Sequence, residues 1–169
     1  MLNSIDDKLL RLMRTRGHSA RNERAMKLVG AAGEWGAVWI GASLALAATD
    51  RNRRRPWLAA AAVAPTAIGL NYIAKLIVRR PRPQLQGLPR LGPAPSELSF
   101  PSAHAAASTA AATAISRIEP RLTLPAYALA LAICASRPYL GLHYPSDVLA
   151  GAAFGVGLGE AWSRVTPPR

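Results

Sequence analysis

With 169 residues the chain has room for a single core. Half of its residues are hydrophobic but only 6% are aromatic, and the formal charge of +12 comes from 18 arginines and 3 lysines against 9 acidic residues. The arginines sit between apolar runs, without base-stacking or groove-reading motifs, which excludes a nucleic-acid partner and favours anionic headgroups at a membrane surface.

Residues 1–20 place Ile5, Leu9, Leu12 and Met13 on one helical face, with Asp6, Asp7, Lys8, Arg11 and Arg14 elsewhere. The pattern predicts an amphipathic, interfacial helix within a segment 1–24. A solvated helix packed on its own domain is the alternative. Charges interrupt this stretch before an apolar signal region forms, so no cleavable signal peptide is expected.

The rest, 25–169, is expected to be a membrane-embedded domain, giving an all-α fold of about five spans. Residues 25–49 are apolar enough to cross a bilayer, which takes roughly 20 residues. The basic turn Asp50–Pro56 stops that span, and Trp57 opens a second running to about Val78. A Pro- and Arg-rich loop covers 79–100. Three helices follow, at 101–118, 122–136 and 145–162. They are rich in small residues and only weakly hydrophobic, as expected of helices packed closely on each other. Gly151, Gly155 and Gly159 form a close-packing stripe on the last. Glu34, inside the first span, needs a partner, and Lys27 is in reach. Trp57 and Trp162 are expected at the interface opposite the site. Trp35, Trp39 and the single Cys134 are expected in packing. Basic residues, Arg164 and Arg169 on the far face among them, are spread nearly evenly over both faces, so charge gives no orientation.

Three segments carry chemistry. Lys75 lies near the end of the second long helix, and Pro81 turns the chain so that Arg82 can meet it. Asn71, one turn before Lys75, could steady the ammonium. Arg79, Arg80 and Arg90 are assigned to headgroups. Pro101-Ser102-Ala103-His104 opens the next helix, where free N–H groups and the dipole attract an anion. Ser102 either caps this helix or bonds a phosphate oxygen. Arg137 offers a bidentate guanidinium. His143 precedes Pro145, and Asp147 lies four residues on, where it can fix the tautomer of the imidazole. Taken singly, Lys75 reads more readily as a snorkelling lysine, and each histidine as structural. His18, in a polar basic tail, has no assigned role. Up-and-down threading of the helices puts all three segments on one face, the equipment for holding a phosphate while one histidine attacks and another protonates.

In this order the segments resemble the motifs of the type-2 phosphatidate phosphatase superfamily, whose helical core is shared with vanadium-dependent haloperoxidases. The family pattern is Lys-x6-Arg-Pro, Pro-Ser-Gly-His and Ser-Arg-x5-His-x3-Asp, and the resemblance covers roughly residues 57–162. It implies that Lys75, Arg82, Ser102 and Arg137, with the N–H of Ala103, bind phosphate. By the same resemblance His104 is general acid and then base, His143 the nucleophile, and Asp147 its orienting carboxylate. No metal and no cofactor are implied. Ala103 stands where the family has glycine, and a small adjustment of the pocket is expected. Two predicted spans precede the first motif where larger relatives have three. The implied partner is a membrane lipid substrate in the bilayer of a bacterial plasma membrane. A polyprenyl-linked phosphate is expected, decaprenylphosphoryl-5-phosphoribose preferred, with undecaprenyl diphosphate and phosphatidylglycerophosphate as alternatives. A haloperoxidase using the same pocket and a non-catalytic lipid-binding protein are the readings of other classes.

Overall fold

The computed structural model describes residues 2–166, which form helices α1 (Leu2–Thr15), α2 (Ala20–Ala32), α3 (Ala37–Thr49), α4 (Arg54–Val78), α5 (Ala103–Ile118), α6 (Thr123–Tyr139) and α7 (Pro145–Val165). Arg169 lies outside the described residues. The loop between α4 and α5 is closed by isolated backbone bridges at Pro81–Leu98 and Leu85–Leu88.

Helix α5 is the axis of the bundle. Its Ala, Ser and Thr side chains from Ala105 to Ile115 are all buried, because α4, α6 and α7 pack round it. The glycine stripe of α7 makes that approach possible. A Cβ at Gly155 would collide with Thr109 Oγ1 and the Ala106 carbonyl, and one at Gly159 would lie 2.6 Å from Thr113 Cβ. Small residues let the backbones close, as expected where lipid supplies no hydrophobic drive between helices. Cys134 is buried in packing. At the end remote from the motifs, Arg53 joins three elements, donating to Asp50, Glu119 and the Ile118 carbonyl.

Helix α4, with the turn before it, is long and apolar enough to span a bilayer; α2 and the segment 34–49 pass the same test only as a pair, bent by 47°. The expected unbroken span 25–49 is therefore corrected. The chain breaks at Gly33–Gly36, where Trp35 (φ 52°) and Gly36 (φ 74°) are both left-handed. The polar dip at Gly33-Glu34-Trp35-Gly36 is only four residues long between apolar stretches, so the run reads as continuous.

Several side chains also depart from expectation. Trp39 is buried and donates to Ser108, but Trp35 is 66% exposed. Trp57, 1% exposed, donates to Asp50 and faces protein rather than headgroups. Trp162, half-buried, donates to the Ala59 carbonyl. Lys27 pairs with Glu23, one helical turn away, and leaves Glu34 to another partner.

Helix α1 packs on the domain through its polar side. Asp6, Leu10 and Arg14, spaced by four, are buried, while Ile5, Leu9 and Leu12 point outward. Arg14 fixes the helix by donating to the carbonyls of Tyr139 and Pro89.

Candidate active site

The C-termini of α4 and α6 and the N-termini of α5 and α7 meet at one end of the bundle, as the threading requires. They enclose a cavity of about 410 Å³ whose lining includes Lys75, Arg82, Ala103, His104, Arg137 and His143. Each motif is delivered by a local device. Arg79 ends α4 in the left-handed region, its N–H donating to the Lys75 carbonyl, so the chain turns back with Arg80 and Arg82. Ser102 caps α5, accepting from the Ala105 N–H, and its own N–H donates to the Asp147 carbonyl. Pro145 starts α7, and the Asp147 carboxylate accepts from the Tyr144 N–H to close the first turn.

The cations differ in how far they are committed. Two of the three Lys75 protons go to the carbonyls of Leu98 and Ser99, at 2.9 and 3.1 Å. Arg82 donates to the carbonyls of Ser96 and Leu142, at 2.6 and 2.7 Å, and its Nη1 lies 3.1 Å from His143 Nε2. Arg137 is different: it is buried, and its Nε has no hydrogen-bond partner among the described residues. Gly30 makes room for it, since a Cβ there would lie 3.1 Å from Arg137 Nη1. A buried guanidinium with open donors is costly unless an anion completes it.

His143 is held between an acid and a base. A guanidinium only donates, so its contact with Nε2 makes that nitrogen the lone-pair bearer and places the proton on Nδ1. Nδ1 faces Asp147 Oδ2 at 3.5 Å. Burial first, then the nearby Arg82 and Lys75, push the ring down to about 3 against the opposing pull of Asp147, so it is a free base at neutral pH. Asp147 is fully buried, and its Oδ1 accepts from Arg80 Nη1 at 2.8 Å. Arg80 in turn donates to Asp6 of α1 at 2.8 Å. Asp6 also accepts from the Ser146 N–H at 3.0 Å and from its hydroxyl. Burial works to raise the Asp6 carboxyl, but these bonds hold it below the usual carboxylate range.

Two expectations are thereby corrected. Arg80 is not a headgroup residue: it turns inward because two buried carboxylates face it. Asn71 does not steady Lys75, which donates to two loop carbonyls; the amide is 1% exposed, lines the cavity, and neither of its polar atoms has a partner among the described residues. Ser102 is fully buried as a cap and Ala103 lies at the cavity wall. His18 stacks on Tyr139, with centroids 4.5 Å apart. Glu34 is the residue whose place sequence reasoning missed. Its Oε2 lies 3.2 Å from His104 Nε2, off the line of a full hydrogen bond. The signal was present, an acid in an apolar run between two glycines.

An all-helical bundle gathering Lys, two Arg, two His and a buried Asp at one end defines a membrane phosphatase of phosphoester bonds. Residues 56–169 match the PAP2 superfamily, to which the chain belongs. It is 42% identical over 125 residues to a decaprenylphosphoryl-5-phosphoribose phosphatase of Mycobacterium tuberculosis, covering 72% of this chain and 67% of that one. To the Mycolicibacterium smegmatis protein of the same name it is 40% identical over 123 residues, 70% and 65% of the two chains. The solved structure of a transmembrane PAP2 type phosphatidylglycerolphosphate phosphatase from Bacillus subtilis superimposes with a TM-score of 0.79. That match covers 97% of this chain and 85% of the other at 22% identity, and establishes the shared fold.

Proposed function

We propose that the protein removes the terminal phosphate from a polyprenyl-linked phosphosugar of the bacterial plasma membrane, with decaprenylphosphoryl-5-phosphoribose the preferred substrate. The observation that carries the reading is the two-sided cavity. Its inner end holds Lys75, Arg82, Arg137 and both imidazoles, while its outer wall, formed by Trp35, Ile68 and Tyr72, reaches the exposed apolar surface. A phosphate enters the charged end while a tail stays in lipid. The names of the mycobacterial relatives support the headgroup.

In the mechanism, the phosphate takes the open donors of Arg137 and draws Arg82 from His143 Nε2. The freed lone pair attacks phosphorus in line with the leaving oxygen. As the P–O bond breaks, its electron pair stays on that oxygen, which takes a proton from His104. The new P–N bond leaves a cationic phosphohistidine stabilised by Asp147. Water, losing a proton to His104, then attacks phosphorus, and the P–N electrons return to His143. The cations do what a metal ion would otherwise do, stabilising the equatorial oxygens. Segment 1–24 sits at the interface, and 25–169 forms the membrane-embedded domain.

Purified protein assayed in detergent on a panel of lipid phosphates is expected to release phosphate best from the phosphoribosyl polyprenyl lipid. Release should resist chelators and be inhibited by vanadate. His143→Ala should lower it on the order of 10⁴-fold or more. Full activity in that variant would remove the proposed nucleophile, and preference for undecaprenyl diphosphate would remove the headgroup assignment.

A further inference from the structure

We propose that Glu34 is the positioning residue of the general acid, and that its charge favours a leaving group presenting hydroxyls, not a second phosphate, next to the scissile bond. The inference rests on the phosphatase reading above. Three independent features point to it. Glu34 Oε2 lies 3.2 Å from His104 Nε2. Gly33 packs so tightly that a Cβ there would come 3.3 Å from His104 Cδ2 and 2.8 Å from Ile133 Cγ2, so the chain before Glu34 is fitted against the ring. The backbone carrying it is broken, with Trp35 left-handed at φ 52°. Such strain in a residue that is not glycine persists where the surrounding structure holds it, and it clusters at functional sites. Irregular backbone at membrane depth is tolerated where it lines a cavity, and Glu34 lines this one.

The two histidines then form mirrored pairs. Asp147 faces Nδ1 of His143 and leaves Nε2 for phosphorus; Glu34 faces Nε2 of His104 and leaves Nδ1 for the leaving oxygen. In the protonated ring the Nε2–H turns onto the carboxylate as substrate seats, and the Nδ1 proton moves to the oxygen as the P–O bond breaks. When His104 later takes a proton from water, Glu34 stabilises the imidazolium that forms. Catalytic hydrogen bonds of this kind tighten as substrate seats. Glu34 is also the single carboxylate among the residues lining the cavity, and its pairing with His104 places it on the leaving-group side. Sugar or glycerol hydroxyls can donate to it. A diphosphate would bring its second anionic phosphate against it, and like charges at such range repel strongly.

The test uses the full-length protein in detergent with three probes: phosphatidylglycerol phosphate, p-nitrophenyl phosphate and farnesyl diphosphate. The aryl group departs as an anion and needs little help from an acid; the alkyl group needs a proton. Glu34→Gln should lower kcat on the alkyl phosphate by about 10²-fold, with a loss on the aryl phosphate at least about tenfold smaller. His104→Ala should show the same split. The ratio of diphosphate to aryl phosphate hydrolysis, two reactions that need little acid, should rise about tenfold or more in Glu34→Gln. Equal losses on alkyl and aryl phosphates would overturn the positioning role, since a misfolded or merely loosened site lowers both. An unchanged diphosphate ratio would overturn the selectivity. A wild-type protein inactive on all three probes would overturn the phosphatase reading and this inference together, whereas an active wild type with an unaltered Glu34→Gln profile overturns this inference alone.

Discussion

At the scale of single residues, the site works by leaving some groups unsatisfied. Arg137 is the clearest case, with a buried Nε that has no partner among the described residues. Its planar fork matches two phosphate oxygens, and a lysine ammonium cannot reproduce that contact. Arg137→Lys is expected to lower kcat/KM by about 10²–10³-fold, the usual cost of losing one preorganised donor, measured as phosphate release under subsaturating substrate. His143 makes a second prediction. Burial holds the folded ring down to about 3, while an unfolded histidine titrates near 6.5. Below about 6.5 the unfolded chain therefore binds the extra proton more readily, and folding stability falls as pH drops from there toward about 3. Thermal unfolding in detergent should show a shallower acid loss for His143→Gln than for wild type. Parallel curves would show that the ring titrates normally in the folded protein.

At the scale of elements, the site depends on a helix that the motifs do not include. Asp6 of α1 binds Ser146 and Arg80, and Arg80 binds Asp147, so the N-terminal helix supports the carboxylate to which the proposed mechanism gives the orienting of His143. Asp6→Asn and Arg80→Ala are expected to lower kcat by about 10–100-fold, the range found when outer partners of functional histidines are removed. KM should change little, because neither residue is a cavity-lining group. A rise in KM at constant kcat would instead make them binding residues. The sequence made the ends of α4 to α7 legible, because Pro81, Pro101 and Pro145 punctuate runs whose apolar character is otherwise continuous. It could not reveal the Asp6–Ser146 contact, which joins residues 140 positions apart and has no local signature. Nor could it reveal the inward turn of Arg80, since one arginine beside Arg79 and Arg82 looks like the others until the carboxylates are placed. The break at Gly33–Gly36 was half visible: the glycines were there, but a hydropathy pattern does not say that a backbone changes hand.

At the scale of the whole molecule, the weak average hydropathy is explained by where the small residues lie. Alanines, serines and threonines of α5 face other helices, and the large apolar side chains, such as Ile73, Ile77, Leu124, Leu131 and Leu149, point outward. This inversion suits a protein whose surrounding solvent is hydrocarbon, and it accounts for a bundle in which, among the described residues, α4 with the turn before it alone meets a simple span test unaided. Helix α1 follows the same logic with its buried polar side and outward Ile5, Leu9 and Leu12. Trp35 lies where that outer surface meets the cavity, 66% exposed, while Trp39 and Trp57 are buried. In vesicles of phosphatidylcholine brominated on its acyl chains, quenching of tryptophan fluorescence should therefore come mainly from Trp35. Replacing it, as Trp35→Phe, should remove most of the quenchable signal and leave the buried indoles emitting. If quenching persists undiminished in that variant, the mouth between the broken helix and α4 does not open toward lipid. A tail-bearing substrate would then have to reach Arg137 and His143 from the aqueous end of the bundle.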